Sequence, residues 1–239
     1  MPTRTTAAVI VAAAAATAHA DIVQMGFTGT GRGQNVQITM GSRTMGTFAG
    51  QLMYTVTDAT GVGEQLLGEN AFYCTDLFQS VTRASLEYQS TGLTEVPDSA
   101  PMNASQAGAI RDIFAYANEE QFSSETSNAF AAAFQLSVWE IVSDYDSSLG
   151  RESMDVGSGW FQASGWRNAS LGSDVLGYMG DMFDAVGTDI AYGGSVLAFQ
   201  SEFAQDQLRS VPGRAIPTPG STASLALGLL VTVGRRRRD

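Results

Sequence analysis

The chain holds 239 residues, with 24 Asp and Glu against 13 basic residues, every one of them Arg, for a formal net charge of −11. Over residues 21–220 the balance is steeper, 8 Arg against 23 acidic side chains or −15, a surface that repels nucleic acid and anionic lipid and suits an extracellular soluble domain. The single Cys, Cys74, has no intrachain disulfide partner and the single His, His19, stands within the first 20 residues, so Cys–His nucleophilic catalysis and His-containing zinc sites are excluded for the rest of the chain.

Residues 1–20 combine Arg4, an apolar run of Ala, Val and Ile, and the triplet Ala18-His19-Ala20. That pattern predicts a secretory signal peptide, with the mature chain starting at Asp21. In an exported chain an odd cysteine is a buried small hydrophobe, an intermolecular bridge or a masked reactive group. Residues 21–28 and 34–40 read as short strands joined by a Gly-rich turn over 29–33. That turn lacks the Lys-Ser/Thr of a phosphate loop, which argues against nucleotide binding. Residues 47–57 alternate as a strand, with Phe48, Leu52, Tyr54 and Val56 on one face. A turn region follows over 57–67, then a strand over 70–75 that delivers Cys74 and another over 85–89. Residues 91–103 form a loop containing Pro97 and Pro101.

Helical character takes over next. Ser105 is placed to cap a helix over 106–118, with Ile110, Ile113, Phe114 and Ala117 inward. In 124–145, Phe134, Val138, Ile141 and Tyr145 fall on one narrow stripe at helical spacing, with Ser124 as a weak cap and Glu125 favourable to the helix dipole. Gln135 borders that stripe, one turn before Trp139. The helix is expected to end near Asp146. Residues 154–156, 159–163 and Trp166 suggest a small hairpin or an irregular packed loop. A short helix over 171–185 is expected to bury Leu176, Met179, Met182 and Phe183, and 192–203 returns to strand character before 206–213 leads into the tail. Strands, then helices, then a closing strand fit an α+β domain over 21–210: an antiparallel β-sandwich or barrel-like sheet with an inserted helical subdomain.

Residues 211–239 read as a second targeting signal. Pro217-Thr218-Pro219-Gly220 breaks structure, 221–233 is almost wholly apolar, and Arg235 to Arg238 form a basic stop. The apolar stretch falls short of the roughly 17–25 residues of a comfortable membrane span, and the charge bias sets the arginines on the cytoplasmic side. This tripartite tail resembles the C-terminal sorting signals of the PEP-CTERM class, with Thr218 where that class carries an acidic residue. The resemblance implies an exosortase-like processing protease as partner and transient inner-membrane association through 221–234. A permanent weak anchor is the alternative.

Tyr73-Cys74-Thr75-Asp76, and Phe134-Gln135-Leu136-Ser137-Val138-Trp139-Glu140 beginning sixty residues after Cys74, resemble the two signatures of bacterial thioester domains, the Thr-Gln-x-Ala family of surface adhesins. Phe134 and Ser137 stand where the family has Thr and Ala. The resemblance covers roughly residues 46–207. It implies that Cys74 supplies the thiol and Gln135 the acyl group of an internal thioester, with Phe72, Tyr73, Phe134, Val138 and Trp139 lining the site and excluding water. It implies an exported cell-surface or matrix protein that bonds covalently to amine or hydroxyl groups on a partner surface. Such single-turnover chemistry is not enzymatic and needs no cofactor or metal.

Three other readings stay open. In a noncovalent envelope or biofilm-matrix module, Cys74 and Gln135 are ordinary core residues. A calcium-stabilised module would use Asp144, Asp146 and Glu152, although these lack EF-hand spacing. A secreted hydrolase would need a carboxylate pair across a cleft, and none stands out.

Overall fold

The computed structural model describes residues 21–188 and 190–212, so the signal peptide expected over 1–20 and the sorting tail beyond 212 lie outside the described residues. The chain opens with a long hairpin, β1 (Ile22–Met40) and β2 (Arg43–Ala59), joined through a turn at Gly41, whose φ is +58°. The strand break expected over 29–33 does not occur. β1 runs through those glycines with register shifts against β2, and Gly33 and Gly50 face each other at φ +151° and +148°. A Cβ on Gly33 would come within 2.3 Å of the Ala49 carbonyl oxygen, so glycine there serves close backbone approach inside a bulged strand, not a turn.

A 3-10 helix at Gly61–Leu66 leads to β3 (Gly68–Cys74), followed by β4 (Leu86–Thr91). Helices α1 (Ala104–Ala117) and α2 (Asn128–Asp144) precede β5 (Phe161–Gly165), and α3 (Ser173–Ala185) precedes the closing hairpin β6 (Gly194–Ser201) and β7 (Ala204–Pro212). The seven strands form one sheet in the order β2-β3-β7-β6-β4-β1-β5, antiparallel throughout, in which β1 also pairs β2. The sheet curls, but β3 meets β7 over two pairs only, Tyr73↔Leu208 and Cys74↔Gln207, so it is not a barrel. The fold is α+β: a multi-stranded antiparallel sheet with helical elements inserted between its strands.

Inside the curl, Tyr54 packs edge-on against Phe72 and Tyr88 at 5.4 and 6.3 Å, and Phe72 against Phe199 at 5.6 Å. Outside it, α2 packs on β1 and β2 and is itself covered by α1 and α3. Every residue from Phe130 to Ile141 is buried, the signature of a helix enclosed on all sides, which explains why its sequence shows only a weak polar face. Asn103, not Ser105, caps α1 in a reciprocal box with Gln106, and Ser127, not Ser124, caps α2 by accepting from the Phe130 N–H at 2.9 Å. The expected inward residues of α1 are all buried. In α3, Leu176 is 48 % exposed, and Val175 takes the core position beside Met179, Met182 and Phe183. Residues 161–165 form no hairpin of their own; they add β5 to the free edge of β1. Among the described residues no helix is long and apolar enough to cross a membrane.

Candidate functional site

Cys74 is the last residue of β3, and its position follows from how two ladders end. The β2–β3 ladder stops at Leu52↔Phe72, two residues before Cys74, although β2 continues in its pairing with β1. On the opposite side, the Thr75 N–H donates to the Asp206 carbonyl at 3.1 Å and keeps β3 tied to β7. The N–H and C=O of Cys74 therefore emerge past the end of the β2–β3 ladder, buried and without a strand to pair. Leaving both unmet would cost about 1–3 kcal/mol each.

Gln135 meets them. Its Oε1 accepts from the Cys74 N–H at 3.0 Å, and its Nε2 donates to the Cys74 carbonyl at 2.9 Å. One side-chain amide thus stands in for a residue of the missing strand. The rest of α2 holds it there. Phe134, one residue before, packs at 4.7 Å on Tyr73, which projects from the opposite face of β3 to Cys74. Trp139, one turn after, donates its Nε1–H to the Cys74 Sγ at 3.2 Å and rests its ring on Phe161. Gln106 of α1 closes the far end of α2 by donating to the Ile141 and Val142 carbonyls.

The electrostatics of the site are those of a buried thiol. Burial pushes Cys74 up to about 12; the Trp139 N–H opposes that rise, and the negative charges of Asp76 and Asp206 add to it. Asp206, fully buried on β7, is raised to about 6 by burial, against the pull of the Ser201 and Asp98 N–H groups that it accepts. Glu140, next to Trp139, is raised to about 8 by burial, although one oxygen accepts from the Asp155 N–H at 2.7 Å. Its other oxygen has no partner among the described residues.

The structure thus brings Cys74, Gln135 and Trp139 into direct contact, with Tyr73 and Phe134 flanking them. Phe72 turns its ring to Tyr54 and Phe199, and Val138 lies in the core, so these two support the site from behind. Cys74 and Trp139 border a cleft of 260 Å³ lined also by Phe27, Phe48, Gln79 and Gln205, with no charged side chain in its wall. Sequence reasoning missed Asp206 and Gln207: residue pairs Cys74↔Gln207 arise only once β7 exists, and the run Gln205-Asp206-Gln207 carries no apolar alternation.

Asp144, Asp146 and Glu152 do not converge on a metal. Asp144 accepts from the Phe161 N–H, Asp146 from Ser148, and among the described residues no group of three or more potential ligands gathers. No family model, curated protein or solved structure matches the chain.

Proposed function

We propose that Cys74 and Gln135 form an internal thioester, and that the protein is an exported surface or matrix protein which uses it to bond covalently to a partner. The observation that carries this reading is the double hydrogen bond between the Gln135 carboxamide and the Cys74 main chain, with Trp139 on the sulfur. In the forming step Sγ attacks Cδ of Gln135. The Cys74 N–H already bonded to Oε1 supports the developing oxyanion. The thiol proton ends on Nε2, which departs as ammonia and leaves the S–C(=O) bond. In the capture step a partner amine or hydroxyl attacks the same carbon, an amide or ester forms, the C–S bond breaks, and the nucleophile's proton returns to Cys74 Sγ. The all-round burial of Phe130 to Ile141 keeps water from the acyl group until then.

The same geometry also supports a second reading. Both ends of the Gln135 amide are satisfied by the Cys74 backbone, which is what a purely structural glutamine needs, and the thiol's rise to about 12 keeps it protonated. A noncovalent module with a core Cys and Gln follows from that.

Intact-mass spectrometry separates the two. The thioester predicts a mass lower than the sequence by one ammonia. It also predicts a thiol that resists alkylation in denaturant until methylamine opens the bond, adding an adduct at Gln135. Cys74→Ala and Gln135→Ala lose both signals. Full mass in the freshly purified protein, with a thiol alkylated on unfolding, sinks the thioester and leaves the noncovalent module.

A further inference from the structure

Beside the thiol cleft and sharing Leu77 with it lies a second cleft of 240 Å³. Its walls are apolar, drawn from Met40, Leu77, Pro97 and Val142. Phe78 and Trp160 stand at it 55 % and 46 % exposed, their rings 6.2 Å apart. Thr75 and Asp76 also line this cleft, and they are 3 % and 1 % exposed. Asp76 Oδ1 accepts from the Phe78 N–H at 2.6 Å, but Asp76 Oδ2 and Thr75 Oγ1 have no hydrogen-bond partner among the described residues.

A buried carboxylate oxygen left without a donor is costly, and the natural remedy is a cation with hydrogens to give. The chain does not supply one. It contains no Lys, and the one salt bridge among the described residues, Arg151–Asp184, is elsewhere. The elements of the cleft fit one chemical group. An apolar wall accommodates a methylene stem, two unpartnered oxygens receive an ammonium's hydrogens, and exposed aromatic rings favour a cation at the mouth.

We infer that this cleft recognises a primary ammonium, the side chain of a lysine on a partner protein. The inference rests on the thioester reading only for its purpose: it sets a lysine-bearing surface against residues 74–77, the segment whose Cys74 bonds to the acyl group of Gln135. Recognition itself is independent of the bond.

The test uses the full-length chain carrying Cys74→Ser, which cannot form the thioester, titrated by calorimetry with butylammonium and with N-acetyl-lysine methylamide. Both are expected to bind, and butan-1-ol about tenfold more weakly or not at all, since hydrogen bonds to a charged group are worth about 1.5–3 kcal/mol. Asp76→Asn is expected to weaken both amines by about tenfold or more. Trp160→Ala, at the exposed rim, is expected to weaken them by roughly two- to fivefold. Absence of butylammonium binding overturns the proposal, as does binding equal to that of butan-1-ol or unchanged in Asp76→Asn. Binding of butylammonium without the blocked lysine overturns the assignment to a protein lysine. If Asp76→Asn fails to fold by circular dichroism, the alcohol comparison and Trp160→Ala decide. The mass deficit of the wild-type protein is read separately, so failure of either proposal is visible without the other.

Discussion

Glu140 is the residue most at odds with its surroundings. It is fully buried one position after Trp139, with a single hydrogen bond, to the Asp155 N–H, and no salt bridge among the described residues, the nearby charge of Arg151 only partly offsetting its burial. Its acid form is favoured by folding, so the sign of its linkage is fixed. The unfolded chain releases this proton near 4.5, the folded protein near 8, and between those values the native state holds a proton that the unfolded state has lost. Stability therefore falls as pH rises through that window, by up to about 1.4 kcal/mol per pH unit from this group. Asp206, raised to about 6, acts in the same direction over a lower range. Glu140→Gln keeps an acceptor for Asp155 and removes the titration. Urea denaturation at pH 5 and pH 8 is expected to show a shallower loss of stability in the variant than in the wild type. Equal losses in both would mean that Glu140 is paired at high pH by a movement of the loop before β5.

At the scale of elements, the contact between α2 and β3 is the one that matters for the site. Trp139 is 2 % exposed and touches Cys74 Sγ and Phe161 together. Trp139→Ala is expected to destabilise the domain by about 3–5 kcal/mol, the range for large aromatic deletions in a core. Cys74→Ser, smaller in volume change, is expected to cost less. A denaturation midpoint for Trp139→Ala within error of wild type would contradict the packing of α2 against the end of β3. What was legible here divides along a physical line. The stripe of Phe134, Val138 and Ile141 announced α2, whereas a meeting of Cys74 and Gln135 was expected only through the resemblance of their two runs to thioester-domain signatures. The caps lie at Asn103 and Ser127 and not at the expected Ser105 and Ser124, because a cap shows its role only through the N–H groups it accepts. β7 stands where the sequence suggests only a lead into the tail, because its buried polar residues are satisfied by distant partners. Asp206 accepts from Asp98 and Ser201, and Gln205 donates to the Asp76 and Gln79 carbonyls. Alternation cannot report a strand whose polar side chains are buried. A different feature hid the strand through residues 29–33: Gly33, of a type that usually marks a turn, instead lets β1 pass close to the backbone of Ala49 and Gly50.

For the whole molecule, the excess of 23 acidic residues over 8 Arg in residues 21–220 bears on the choice of partner. An acidic domain with no Lys attracts a basic, lysine-rich surface over distances of about a Debye length, roughly 8–10 Å at physiological salt. It also presents no lysine side chain in cis to consume an acyl group. Raising the ionic strength is expected to slow capture of a lysine-rich protein while leaving the reaction with neutral hydroxylamine unchanged, read as the rate of thiol release. The tail carries the remaining expectation. Terminal peptide mapping of the envelope-bound protein in its native host is expected to find Arg235 to Arg238 removed, and deletion of the tail is expected to send the protein to the medium. Recovery of the intact arginine end would favour a permanent anchor.

The substitution of a side-chain amide for a strand has an outcome for the proposed bond itself. Expelling Nε2 as ammonia takes away the hydrogen that the Cys74 carbonyl receives from Gln135. The thioester form therefore carries a bare buried acceptor at the end of β3, a debt of about 1–3 kcal/mol. An amine that captures the acyl group brings one N–H back, but in a trans amide that hydrogen lies anti to Oε1, and the substituent takes the syn place from which Gln135 donates to the Cys74 carbonyl; a hydroxyl brings none. Neither product re-knits α2 to the sheet by the old contact; only ammonia, which regenerates the Gln135 carboxamide, restores both hydrogen bonds to Cys74. The methylamine adduct is expected to melt at a lower temperature than the protein opened by ammonia, with faster amide exchange along β3, and equal values for the two would contradict the two-point contact between Gln135 and Cys74.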